Sequence, residues 1–323
     1  MSTILVTGAA GFIGAAVCHA LLARGDTVMG VDNLSDYYDT RLKDARLAQL
    51  AAHPNFSFRK ADISDKEAML ALASQGITGI VHLAAQPGVR YSLENPFAYV
   101  TANVMGQAVM LELARAIQSS GRAALKHFVY ASSSSVYGAN KKTPFAVGDA
   151  VDHPNSLYAA TKRSDELFAH TYAHLYGIAC TGLRFFTVYG PWGRPDMAPI
   201  LFASAIAKDE PIKVFNHGEM WRDFTYIDDI VDGVVGVLDR PAAGVPPCKV
   251  YNLGNHRSEK LTDFIGEIEK ALGRKAQFQL EPIQAGDVPS TYADIEASAR
   301  DLGFEPTTPI NAGIPKFIAW YRE

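Results

Sequence analysis

Tyr158 and Lys162 stand four residues apart in the stretch Leu157 to Tyr176, where Leu157, Ala160, Leu167, Phe168, Thr171 and Leu175 recur at helical spacing. One helical turn separates the pair, so phenol and ammonium share a face. A free phenol ionises near pH ~10, too high for an efficient general base at neutral pH, and a neighbouring ammonium favours the phenolate. Such a pair can take a proton from an alcohol. Taken alone the spacing is weak, because short matches recur by chance as a half-buried tyrosine beside a surface lysine. Ser132-Ser133-Ser134-Ser135 strengthens it. The run follows an apolar strand, and one hydroxyl at that carboxyl end can bond the substrate oxygen that gains and loses its proton. That role falls to Ser133.

Proton removal from an alcohol needs an oxidant if the carbon is to become a carbonyl, and the first residues supply a place for one. Ile4-Leu5-Val6 is a short apolar strand, Thr7-Gly8-Ala9-Ala10-Gly11-Phe12-Ile13-Gly14 follows at once, and Ala15 to Arg24 has helical apolar spacing with Gly25 as its stop. Glycines allow a tight turn and close approach to a pyrophosphate, which the free N–H groups of a helix N-terminus then bind. The next strand, Thr27 to Val31, ends in Asp32, placed to accept hydrogen bonds from both adenosine-ribose hydroxyls. Its carboxylate repels a 2′-phosphate, so the expected cofactor is NAD rather than NADP.

Those elements belong to a longer alternation. Strands are expected at 3–7, 27–31, 56–60, 79–83, 126–131 and 179–185, with helical patterns between most of them. The expected fold is α/β: a Rossmann-type doubly wound parallel sheet with a smaller, interleaved C-terminal substrate-binding α/β lobe. The polar segment Arg41 to Leu50 either covers the cofactor or substrate mouth or is a solvated helix. After Phe185 the texture changes, with Pro191, Pro195, Pro199 and Pro211 among scattered aromatics. Helical periodicity returns over Phe224 to Leu238, a strand is expected at Val250 to Leu253, and a helix at Leu261 to Leu272. The expected division is 1–182 with about 222–256 for the NAD-binding domain, and 183–221 with 257–323 for the substrate lobe.

Composition agrees with a folded enzyme. The 323 residues are 48% hydrophobic, enough for a full core, and the formal net charge is −4. No basic stripe points to nucleic acid, and no run of about 20 apolar residues points to a membrane span. The first strand begins at once, leaving no room for a signal peptide, and a cytoplasmic location is expected. Cys18, Cys180 and Cys248 form no ligand cluster, so they read as reduced core thiols, and no metal is expected.

Several further segments carry a resemblance: HLAAQPGVRYS at 82–92, SSSSVYG at 132–138, YAATK at 158–162, RFFTVYGP at 184–191, RDFTYIDDI at 222–230 and YNLGN at 251–255. With TGAAGFIG at 7–14 they make the chain similar to extended short-chain dehydrogenases/reductases, in the branch of nucleotide-sugar epimerases and dehydratases. NLSDYYD at 33–39, GRPDMA at 193–198 and QAGDVPSTYAD at 284–294 most resemble UDP-glucuronate 4-epimerases. The resemblance implies cofactor contacts from Gly8, Gly11, Phe12, Ile13, Gly14, Asp32, Asn33, Asp62, Ile63, Leu83, Ala84, Ala85, Asn103, Tyr158 and Lys162. On the substrate side it implies Pro87, Arg90, Thr187, Val214, Phe215, Asn216, Arg222 and Asp287, with Arg222 presenting paired donors to a UDP diphosphate.

Two departures refine that expectation. Many such epimerases carry a second arginine just before the Gly-Asp pair, where this chain has Gln284, so the diphosphate depends more on Arg222 or is shared with Arg194. Arg194 has a competing use as counter-ion to a substrate carboxylate. Related 4,6-dehydratases place an Asp-Glu pair where Ser134 and Ser135 stand here, and decarboxylases place a glutamate at the first. Hydroxyls cannot supply that acid–base chemistry at neutral pH, which leaves reversible C4 epimerisation through a 4-keto sugar. Ser134, Ser135 and Thr187 are then candidates to hold a glucuronate carboxylate. The alternatives are a UDP-glucose 4-epimerase, a UDP-glucuronate decarboxylase or dehydratase, and a non-catalytic NAD sensor. The resemblance also implies a homodimer that pairs the segments Phe97 to Ser119 and Leu157 to Tyr176 with their copies.

Overall fold

In the computed structural model, which describes residues 2–121, 124–284 and 286–323, seven parallel strands form the central sheet. The strands along the chain are β1 (Thr3–Thr7), β2 (Thr27–Asp32), β3 (Phe56–Lys60), β4 (Gly79–His82), β5 (His127–Ser133), β6 (Cys180–Phe185), β7 (Thr187–Tyr189), β8 (Pro211–Val214), β9 (Trp221–Arg222), β10 (Phe224–Tyr226), β11 (Cys248–Leu253), β12 (Glu259–Lys260) and β13 (Gln277–Leu280). The sheet order is β11-β6-β5-β4-β1-β2-β3. The winding direction therefore reverses between β1 and β4, and a doubly wound sheet opens its ligand crevice at the carboxyl ends beside that reversal. Ala285, within the 284–294 motif, lies outside the described residues.

The helices are α1 (Phe12–Ala23), α2 (Arg41–Ala51), α3 (Lys66–Leu70), α4 (Tyr91–Glu94), α5 (Pro96–Tyr99), α6 (Gly106–Ser119), α7 (Leu157–Tyr176), α8 (Ala198–Ala207), α9 (Ile227–Leu238), α10 (Leu261–Leu272), α11 (Glu296–Leu302) and α12 (Ile310–Tyr321). One face of the sheet buries Val17 and Leu21 of α1 with Val234 and Val237 of α9. The other buries Met110, Leu113 and Ile117 of α6 with Ala169 and Ala173 of α7. The first of these clusters continues into the smaller lobe through Tyr189, Phe224, Phe264 and Phe317. There the Phe224 and Phe264 rings stack with centroids 3.9 Å apart, so the lobes share one core.

The structure departs from the sequence expectations at several joints. The periodic stretch Phe224 to Leu238 is not helical from its start: its first three residues pair with β7, and α9 begins at Ile227. The expected Phe97 to Ser119 helix is continuous from Pro96 to Ser119, but its winding changes partway. Asn95 caps α5 by accepting from the Ala98 N–H, and a π-helical turn over Val100–Met105 precedes α6. That wider turn brings Asn103 inward, where its amide bonds the Gln86 N–H at 2.8 Å and the Thr161 hydroxyl at 3.0 Å. Strand β5 runs two residues beyond its expected end, carrying Ser132 and Ser133 on regular strand geometry. Among the described residues no helix is long and apolar enough to cross a membrane.

Candidate active site

The glycine turn is built from backbone against backbone. Gly8 has φ +73°, and a Cβ there would lie 2.8 Å from the Ala84 nitrogen. A Cβ on Gly14 would lie 2.0 Å from the Gly8 carbonyl oxygen. Only glycine fits either place, and the result is a shallow cradle at the start of α1, whose N-cap, Gly11, offers no side-chain oxygen to the first-turn N–H groups. Unpaired N–H groups at a helix N-terminus are what a pyrophosphate binds. At the end of β2, the buried Asp32 accepts from the Ala10 N–H at 3.1 Å and the Leu34 N–H at 2.8 Å, and still lines the crevice. The described residues therefore fit a dinucleotide: cradle for the phosphates, carboxylate for the ribose.

Beside the cradle, α7 brings the candidate proton-transfer groups. Ser156 caps the helix by accepting from the Ala159 N–H at 3.1 Å, which fixes Tyr158 in the first turn and Lys162 one turn later. The Lys162 ammonium donates to the Ala131 carbonyl at 3.0 Å and to Asp165 at 3.1 Å. Tyr158 meets the edge of Tyr99, with ring centroids 6.1 Å apart. The serine run splits in function. Ser132 donates at 2.7 Å to Glu166, which also holds both arms of Arg184 at 2.8 Å, whereas Ser133 accepts from the Ser135 N–H at 3.1 Å. Ser133, Ser134 and Ser135 all line the crevice with Tyr158 and Lys162. Beneath them His82 bonds Thr7 at 2.7 Å, and burial, with the Lys162 charge adding to it, pushes its pKa down to about 3.

The smaller lobe contributes long side chains. Thr187 opens β7 at the crevice. Arg194 forks onto Asp196 at 3.0 and 2.7 Å, and Asp196 in turn accepts from the Tyr37 hydroxyl at 3.2 Å. Farther along, Arg222 donates to Asp287 at 3.2 Å; burial pushes its pKa down and the carboxylate opposes the shift. Arg90 lies over the Phe215 ring at 5.0 Å and 3.8 Å from the other Asp287 oxygen.

One cavity of about 1050 Å³ joins these parts, from Gly8, Gly11, Phe12, Ile13 and Gly14 to Phe215, Arg222 and Asp287. Asn33, Asp62, Ile63, Leu83, Ala84, Ala85, Pro87, Arg90, Thr187 and Arg194 lie along it. Three expected residues do not line it. Asn103 is buried between the Gln86 loop and α7, Val214 is in the core at the end of β8, and the Asn216 amide donates to the Glu219 carbonyl at 2.6 Å. Residues that sequence reasoning did not name as site residues include Tyr37, Lys43 and Asp196, which line the cavity, and Arg46 behind it. Lys43 and Arg46 are legible in sequence only as a polar helix; their three- and four-residue spacing with Leu50 puts them on its buried face, where Arg46 donates to the Ala10, Trp192 and Gly193 carbonyls. Among the described residues, no group of His, Cys, Asp and Glu side chains is placed to hold a metal ion.

Known proteins share much of this sequence and architecture. A profile of the NAD dependent epimerase/dehydratase family matches residues 4–254. UDP-glucuronate 4-epimerase 4 of Arabidopsis thaliana is 46% identical over 99% of this chain and 75% of its own length. UDP-glucuronic acid 4-epimerase from Bacillus cereus, solved with UDP-glucuronic acid and NAD, superposes with a TM-score of 0.90 at 34% identity over 99% of both chains. UDP-glucose 4-epimerase from Thermotoga maritima, solved with UDP-glucose, gives 0.88 at 28% identity over 99% of this chain and 98% of that one. With its glycine cradle, its tyrosine–lysine pair and its two-lobed crevice, this chain belongs to the NAD dependent epimerase/dehydratase family.

Proposed function

We propose that the protein is a UDP-glucuronate 4-epimerase, interconverting UDP-glucuronate and UDP-galacturonate. The observation that carries this reading is the single crevice in which Tyr158, Lys162 and Ser133 stand between a dinucleotide cradle and an arginine-bearing lobe, with hydroxyls rather than carboxylates at 134 and 135. The chemistry NAD supplies when bound is removal and return of a hydride at the sugar C4. Tyr158 takes the C4 hydroxyl proton, with Ser133 bonding the same oxygen and Lys162 holding positive charge nearby. The 4-keto sugar then turns about its bond to the diphosphate and presents its other face. Tyr158 returns the proton, and no net oxidation results.

The placement of the two arginines supports distinct uses. Arg194 lies at the catalytic end, within electrostatic reach of Tyr158 and Tyr37, so it faces the sugar carboxylate. Arg222 and Arg90 flank Asp287 at the far end and face the diphosphate, taking up the place left by Gln284. A 4-keto glucuronate is a β-keto acid that loses carbon dioxide when its C5–C6 bond overlaps the carbonyl π system. Ser134, Ser135 and Thr187 fix the carboxylate out of that alignment.

A homodimer fits the outer surface. Phe97 and Met105 on the α5–α6 side, and Leu167 and Leu175 on α7, are large apolar side chains left exposed on adjoining helices, and a second copy would cover them.

Proton NMR of the purified protein with UDP-glucuronate and, separately, UDP-glucose tests the reading. Conversion of UDP-glucuronate alone to its C4 epimer is the expected result. Conversion of UDP-glucose alone would assign the pocket to neutral sugars, and no turnover of either would reject the proposed activity.

A further inference from the structure

Asp165 stands apart from every group used so far. It is 2% exposed, and its only described polar contact through the side chain is the 3.1 Å bond from the Lys162 ammonium to Oδ2. Its other oxygen, Oδ1, has no partner among the described residues. Glu166, the next residue, shows how this fold normally treats a buried carboxylate: both oxygens are taken, by Arg184, Ser132 and Arg163. A buried carboxylate with an empty oxygen is expensive and gives poor return as a structural brace.

The expense is spent on one ammonium. Lys162 has three N–H donors; the Ala131 carbonyl takes one and Asp165 another, leaving a single donor for the crevice that Lys162 lines. The described ion pairs give Lys162 no other carboxylate. We infer that Asp165 is a positioning residue for proton transfer: it fixes the rotation of the Lys162 ammonium, and its own charge sets how much of that positive charge reaches Tyr158. This rests on the assignment of Tyr158 and Lys162 to proton transfer, made under the proposed function.

The surroundings leave Asp165 able to change charge in a useful range. Burial pushes its carboxyl up to about 6, Lys162 opposes that shift, and Glu166 adds to it. From β4, His82 faces the same ammonium and is held neutral by burial. From β5, the buried Tyr130 phenol faces Asp165 and Glu166, and the Cys180 and Cys248 thiols stand beyond it. Arg184 from β6 and Arg163 from α7 are engaged by Glu166. Above the range in which Asp165 loses its proton, its negative charge offsets part of the ammonium field at Tyr158. Below it, the full cation acts.

Ultraviolet difference titration near 295 nm on purified holoprotein tests this without any substrate. The tyrosinate step that Y158F removes is compared between the native protein and D165N, which is isosteric, uncharged and still accepts from Lys162. D165S serves if D165N does not fold. We expect the step to move to lower pH by about one unit, the size set by removing one charge several ångströms away at an effective dielectric near 20. The acid limb of UDP-glucuronate turnover moves with it. A step at unchanged pH in the substituted protein would reduce Asp165 to a structural contact and overturn the inference. If the step moves while no UDP-sugar is turned over, the charge coupling stands and the proposed activity falls.

Discussion

The two ends of the crevice are built by different means. At the cofactor end, shape is set by main chain: Gly8, Gly14 and the Ala84 backbone leave no room for one added carbon, and the charge complement is a helix start and one aspartate. At the end proposed for the sugar nucleotide, shape is set by pairs of long side chains, Arg194 with Asp196 and Arg222 with Asp287, carried on two-to-four-residue strands and turns. Backbone construction gives a site that holds one ligand rigidly. Side-chain construction gives one that can regroup around a sugar that, on the proposed mechanism, turns over mid-reaction.

Experiments that separate the two ends follow from this contrast. At their meeting point, Y158F should lower kcat by about 10³-fold, some 4 kcal/mol of barrier, with nucleotide binding little changed. Titration calorimetry with UDP beside NMR kinetics would check both halves of that statement. The cofactor half also buries two neutral histidines, and burial holds the His127 pKa down to about 4. An unfolded histidine ionises near ~6.5, so between that pH and 4 the unfolded chain binds a proton that the folded chain refuses, and stability falls by about 3 kcal/mol. Urea midpoints measured at pH 7 and pH 4 should show that loss, and H127Q should reduce it. Above pH 6.5 His127 is neutral in both states and contributes no slope.

G14A strikes the cradle alone. Overpacking against the Gly8 carbonyl should cost roughly 1–3 kcal/mol, visible as a lower Tm and as purified protein stripped of NAD absorbance, while affinity for UDP is kept. T187A strikes the opposite end and should leave Tm and bound NAD unchanged. Its expected signature is a several-fold rise of UDP-pentose relative to the epimer, resolved by NMR. An unchanged product ratio would remove Thr187 from carboxylate control, and loss of bound NAD in T187A would dissolve the distinction between the ends.

Backbone construction is also the kind a sequence displays. The glycines of the turn, Asp32 at a strand end and the tyrosine–lysine spacing are local signals, and the structure brings all of them to one crevice. The smaller lobe was harder to read. Strands β7, β9, β10 and β12 span two or three residues, too short for any alternation to register, and β10 hides inside the periodic stretch that becomes α9. Helix α8 opens on Ala198-Pro199 after a run of prolines, and a proline in a first turn looks like a break when the turn itself is unseen. Arg194 was found by motif, but its partner Asp196 and the contact to Tyr37, 159 residues distant in sequence, come only from folding.

Arg46 turns the contrast between the ends into a mechanical linkage. Its guanidinium, buried and with no described carboxylate partner, holds the Ala10 carbonyl of the glycine turn and the Trp192 and Gly193 carbonyls of the second lobe at the same time. Swinging the lobes apart must therefore tug on the loop that wraps the dinucleotide. On the proposed mechanism, an enzyme coupled in this way would keep its redox partner as a fixture while the sugar nucleotide comes and goes, and would recycle it in place instead of competing for the cell's circulating pool.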